Sequence, residues 1–132
     1  MALNLPPTAY HRWSARMVDS IMRAYPLENA EWHYEHGLMV QAIHIAARAM
    51  ENKEYPQFTC AWLDRFITPH GNIRTYCLED YNLDQINPGK LLFSFFLETK
   101  QPRYRKALEL LYQQLRQQPR TPSGGFWHKQ IY

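Results

Sequence analysis

Apolar residues recur along this chain at three- and four-residue steps, and proline or glycine interrupts them at regular intervals. After Pro6, Pro7 and Thr8, the positions Tyr10, Trp13, Met17, Ile21 and Ala24 predict one amphipathic helix that Pro26 stops. A second helix is predicted from about Glu35 to Met50, with Leu38, Ala42, Ile45 and Ala49 as its inward face and the small Ala46 and Ala47 permitting close packing. Pro56, whose ring presets φ for a first helical turn, opens a third, which carries Phe58, Trp62, Phe66 and Ile67 as far as Pro69. From Pro69 to Gln85 there is no helical period. Asn87 as cap and Pro88 as first residue predict a fourth helix, "GKLLFSFFLET", apolar nearly all round, as expected of one buried on several sides. The fifth begins at Pro102 and runs "RYRKALELLYQQLRQQ" to Pro119, with Tyr104, Leu108, Leu111 and Leu115 inward. Strands are hardly visible, so the fold class is all-α.

An internal similarity organises these helices. "ENKEYPQF" from Glu51 and "ETKQPRY" from Glu98 each end a helix on Glu-x-Lys, turn briefly, and open the next helix with Pro-x-aromatic; the two glutamates stand 47 residues apart (98 − 51). Helix, tight turn and helix at that period describe stacked α-hairpins, in a solenoid or closed into a toroid. Such hairpins bury their faces against neighbours, and five helices with a loose tail are few for this architecture.

Composition narrows the function. The length of 132 residues and a hydrophobic content of 45% suit one packed domain. A net charge of +3, with basic residues scattered apart from Arg103, Arg105 and Lys106, does not form the basic stripe of a nucleic-acid binder. No apolar run approaches the roughly 20 residues needed to cross a bilayer. Cys60 and Cys77 lack close metal-ligand spacing, and "MALNLPPTAYHRW" lacks the basic and apolar regions of a signal peptide, so reduced thiols and a cytoplasmic protein are expected. The aromatic content of 14% fits either a large core or a site where sugar faces stack on rings.

Candidate chemistry lies at helix ends. "WHYEHG", Trp32 to Gly37, puts imidazoles and aromatics at the start of the second helix, with Gly37 allowing a ligand or a neighbouring backbone to approach; the same residues suit a simple packed helix entrance. His33 and His36 have i, i+3 spacing, but no third ligand is placed to complete a zinc site, and no metal is expected. "EDYNLDQINPGK" sets Glu79, Asp80 and Asp84 ahead of the fourth helix, as site carboxylates or as residues that complement the helix dipole.

Three segments in order, "WHYEHGL", "YNLDQINPGKLLF" and the tail "GGFWHKQIY", resemble the unsaturated rhamnogalacturonyl hydrolases of glycoside hydrolase family 105, related to the unsaturated glucuronyl hydrolases of family 88. The resemblance spans most of the chain. It implies an α6/α6 toroid, of which residues 1–132 are expected to be the N-terminal part of a single domain. It implies a substrate from pectin whose terminal galacturonyl ring carries a C4=C5 double bond, and a reaction that hydrates it: an Asp protonates C4 and assists water at C5, and the hemiketal collapses to release rhamnose. No cofactor is implied. Asp84 matches the family's assisting carboxylate; His128, with Lys129, Gln130, Ile131 and Tyr132, matches a loop that touches the substrate; Tyr34, His36 and Gly37 match a segment near the sugar. The principal Asp, in a Trp-Leu-Asp segment, is expected beyond Tyr132, which makes the chain an incomplete, weakly active or inactive fragment. Without a following helix the tail is expected to swing His128 away from a productive position, and exposed helix faces are expected to drive self-association. A non-catalytic helical repeat module that binds a protein or carbohydrate is the alternative function.

Overall fold

The computed structural model describes residues 7–50 and 52–129. Among them are five α-helices: α1 Pro7–Ala24, α2 Tyr34–Ala49, α3 Glu54–Phe66, α4 Gly89–Thr99 and α5 Pro102–Gln117. Three short 3₁₀ turns and two isolated bridges, Ile67 with Ile73 and Arg120 with Phe126, complete the regular structure of the described residues. Glu51, Gln130, Ile131 and Tyr132 lie outside the description, as does the side chain of Tyr10.

The fold is all-α and built of hairpins. Helix α2 packs on α3 and α4 on α5, each pair joined by a connection too short for anything but side-by-side packing. Contacts between α2 and α4, and the Asp64–Arg103 ion pair at 2.7 Å from α3 to α5, set the hairpins beside each other. The core between them holds Trp32, Val40, Trp62, Leu63, Phe66, Leu91, Leu92, Phe95, Tyr104 and Leu111, and a smaller cluster of Val18, Ile43 and Tyr55 ties on α1.

Two helix starts differ from expectation by a residue or two. Helix α3 begins at Glu54, before Pro56, because the Asn52 carboxamide accepts the Glu54 N–H. Helix α4 begins at Gly89, and Asn87 makes no cap bond; its Oδ1 is buried without a hydrogen-bond partner among the described residues.

The larger correction concerns which faces are buried. In α2 the inward residues are Gly37, Val40, Ile43 and His44, while the stripe Leu38, Ala42, Ile45 and Ala49 is exposed. Helix α2 is apolar on two faces, and the one bearing glycine is the one that allows α4 close. Likewise Phe93 and Leu97 of α4 are exposed, at 61% and 64%, beside the buried Leu91, Leu92 and Phe95. On α1, Trp13 and Met17 are also exposed; they and Ala42, Ile45 and Ala49 of α2 flank an apolar groove of about 640 Å³. No described helix is long and apolar enough to cross a membrane.

Candidate functional site

The N-terminal ends of α2 and α4 meet. Gly37 makes this possible: a Cβ there would lie 2.8 Å from both Cα and Cγ of Pro88. Of the two approaches its lack of a side chain could serve, the structure shows that of a neighbouring backbone. Just ahead of α2, Trp32 is buried, stacked on Trp62 with ring centroids 5.7 Å apart, and its indole N–H donates to the Gln85 carbonyl at 2.9 Å. That bond pins the chain before α2 to the chain before α4. The residues beside these two anchors, His33 and Asp84, are thereby brought together.

Asp84 sits in the 3₁₀ turn Leu83–Gln85, held by its own N–H donating to the Asn82 side chain at 3.1 Å. Three nitrogens from two distant segments converge on its Oδ2: His128 Nε2 at 3.1 Å, Lys129 Nζ at 3.4 Å and His33 Nε2 at 3.5 Å. The carboxylate side chain is only 15% exposed. Burial by itself would raise its pKa, but the hydrogen bonds and charges of His128 and Lys129 outweigh burial and hold it below the ordinary carboxylate range. Asp84 is therefore ionised at neutral pH. It can orient and stabilise cationic donors, and it holds no proton to give.

The tail does not carry His128 away. The His128 carbonyl accepts from Leu83 N–H at 3.0 Å, and the Trp127 N–H donates to the Pro119 carbonyl at 2.9 Å. The end of α5 and the turn before α4 hold it from both sides. Phe126 and Trp127 leave close to half their surface exposed, and the Arg120 guanidinium lies 3.6 Å from the Phe126 ring centroid.

The remaining expected site residues divide. Tyr34 is exposed, its ring centroid 4.7 Å from that of His33 and its hydroxyl donating to Glu35 at 3.2 Å, so it borders the cluster. The hydrogen bond to Glu35, and that residue's charge, raise the Tyr34 pKa. His36 faces elsewhere: its Nδ1 meets the Tyr25 hydroxyl and accepts the Glu31 N–H at 3.2 Å, while the Trp62 indole N–H donates to Tyr25 at 3.3 Å. It belongs to a structural chain between α1 and α3. Gln130, Ile131 and Tyr132 lie outside the described residues. The residue that sequence reasoning missed is His33, considered only as a metal partner of His36. The two rings turn to different partners, and the signal that could have found His33 is its place next to the Trp32 anchor.

The site thus joins an ionised carboxylate ahead of α4 to an imidazole ahead of α2 and to the imidazole and ammonium of the tail, within an all-α stack of hairpins. The profile of Glycosyl Hydrolase Family 88 matches residues 13–132, and the chain belongs to that family. It is similar to a solved glycoside hydrolase from family 105 of C. acetobutylicum, at 40% identity and a TM-score of 0.85 over 91% of this chain. The match covers 33% of that protein, so the chain spans about a third of its length. The resemblance carried by the three quoted segments thus agrees with both comparisons.

Proposed function

We propose that the chain supplies the N-terminal part of the active site of a hydrolase for unsaturated galacturonyl-rhamnose oligosaccharides derived from pectin. The observation that carries this reading is Asp84, ionised and partly buried, with His128 and Lys129 on its Oδ2 from a segment more than forty positions away. In the proposed reaction an acid supplied beyond Tyr132 protonates C4 of the double bond, and water adds at C5. The hemiketal then opens and releases rhamnose. Asp84 contacts the reacting ring, and its negative charge keeps the neighbouring acid protonated until it is used. His128, half exposed, offers a donor toward the sugar, and the exposed Tyr34 ring offers a flat face. The free Cys60 and Cys77 suit a reducing compartment such as the cytoplasm.

The test uses an unsaturated galacturonyl-rhamnose disaccharide, followed through the ultraviolet absorbance lost when its conjugated double bond is hydrated. The 132-residue chain is expected to turn over little or none, and a version extended through a Trp-Leu-Asp segment and the rest of the domain to be active. Asp84→Asn in the extended version should lower turnover by at least the roughly 10²–10⁴-fold typical of general acid–base assistance, with the fold retained. Near-normal turnover of that variant would reduce Asp84 to a helix-start residue. An extended chain inert toward the disaccharide would favour a helical module that binds a protein or carbohydrate partner.

A further inference from the structure

Two glutamines near the end of α5 have an environment unlike that of the surrounding polar residues. Gln114 and Gln118 are buried, at 0% and 3% exposure, whereas Gln113 and Gln117 are exposed. Burying a carboxamide costs free energy unless its donors and acceptors are paired. Here they are paired in a directed chain. The Tyr76 hydroxyl donates to Gln114 Oε1 at 2.7 Å, Gln114 Nε2 donates to Gln118 Oε1 at 3.0 Å, and Gln118 Nε2 donates to two backbone carbonyls, Tyr81 at 2.6 Å and Trp127 at 2.8 Å. The orientation is set by chemistry: turning the Gln118 carboxamide over would aim its oxygen at two carbonyls and its NH₂ at the NH₂ of Gln114.

The two carbonyls are the significant feature. Tyr81 lies three residues before Asp84, and Trp127 directly precedes His128. One NH₂ group therefore clips together the segment that carries the carboxylate and the segment that carries its donors. Among the described residues, one backbone bond joins these segments, Leu83 N–H to the His128 carbonyl.

We infer that Gln118, held in its orientation by Gln114, is a positioning residue that sets the distance between Asp84 and the His128–Lys129 pair. The inference rests on the reading of Asp84 as the site carboxylate, and it assigns Gln118 no contact with substrate. Its span from α5 to two loops makes the site geometry depend on a helix that contributes no group to the Asp84 cluster.

The test is an NMR titration of the Asp84 carboxyl in the 132-residue chain, which needs no turnover and so fails separately from the proposed reaction. Gln118→Leu keeps the volume and removes both donated bonds. The Asp84 midpoint should then move up toward 3.8, its ordinary value, while circular dichroism shows the helices intact. In a chain already carrying His128→Ala and Lys129→Ala, the same substitution should add no shift. If Gln118→Leu does not fold, Gln114→Leu, which frees the Gln118 amide to reorient, should move the midpoint in the same direction by a smaller amount. A folded Gln118→Leu or Gln114→Leu with an unchanged Asp84 titration would overturn the inference. So would an equal shift in the chain lacking His128 and Lys129.

Discussion

Replacing Gly37 by alanine tests the meeting of α2 and α4 on which the site depends. Two effects compete. Alanine in a helix interior is favoured over glycine by about 0.8–1.0 kcal/mol. Against this, the new methyl would lie 2.8 Å from Cα and Cγ of Pro88 and 3.0 Å from its Cβ. Carbon atoms in contact prefer about 3.5–4.0 Å, so α4 would have to retreat by roughly 0.7–1.2 Å. Neither contact is soft, since Cα is backbone and Cγ belongs to a closed ring. Retreat is also resisted at the next residue, because Gly89 abuts Leu111: a Cβ on it would sit 2.4 Å from Leu111 Cδ1. Overpacking of a filled interior costs about 1–3 kcal/mol, and this site belongs at the upper end, so the clash wins by about 1–2 kcal/mol. For a domain of this size that corresponds to a fall of roughly 3–10 °C in Tm. The displacement should also loosen His33 from Asp84, four residues ahead of each contact point. Thermal unfolding of Gly37→Ala with an Asp84 titration is the assay. An unchanged or raised Tm would show that the helices do not meet as closely as described, and the argument would fail.

Other outcomes follow from the same contacts. His44 is buried, with no hydrogen-bond partner on either ring nitrogen among the described residues. Burial pushes its pKa below 6.5, against the pull of Glu98 at 3.8 Å and with the help of Arg48. The unfolded chain then binds more protons, so stability should fall as pH drops below about 6.5 and level out below the folded pKa. Urea unfolding at pH 7.5 and 5.0 should show this slope, and His44→Leu should flatten it; an equal slope in the variant would exclude His44 as its source. Asp84, with its lowered pKa, contributes stability that is present above 3.8 and lost as pH falls through the folded value, so Asp84→Asn should matter for stability near neutrality and hardly at all in strong acid. Because Leu38, Ile45, Phe93 and Leu97 are all more than half exposed, sedimentation of the 132-residue chain should show self-association that Ile45→Lys with Leu97→Lys reduces. A concentration-independent monomer in the parent chain would refute this.

The helices were legible in the sequence because their information is local. Pro26, Pro69, Pro102 and Pro119 bound them, apolar residues recur at helical steps between, and the Glu-x-Lys, turn, Pro-x-aromatic recurrence announces the hairpins. Helix α5 was read in part: Tyr104 and Leu111 are buried as expected, Leu108 and Leu115 are only half-buried, and Ala107 and Gln114 complete the inward face. Helix α2 has apolar residues on both sides, so periodicity could not choose between them. The choice was made by Gly37, whose missing side chain admits Pro88, the residue just ahead of α4. The site shows the same division. Asp84 and His128 could be named from the quoted segments, but their 3.1 Å separation depends on Trp32 reaching Gln85 and Gln118 reaching both Tyr81 and Trp127. In the sequence Gln114 and Gln118 fall at helical steps after Leu111, on the stripe of Tyr104 and Leu111, but as glutamines close to the end of the helix nothing in their chemistry says that anything covers them. Only the arrival of two loops from elsewhere in the chain buries this pair and leaves Gln113 and Gln117 in water, because burial is a property of what packs against a residue and not of the residue itself.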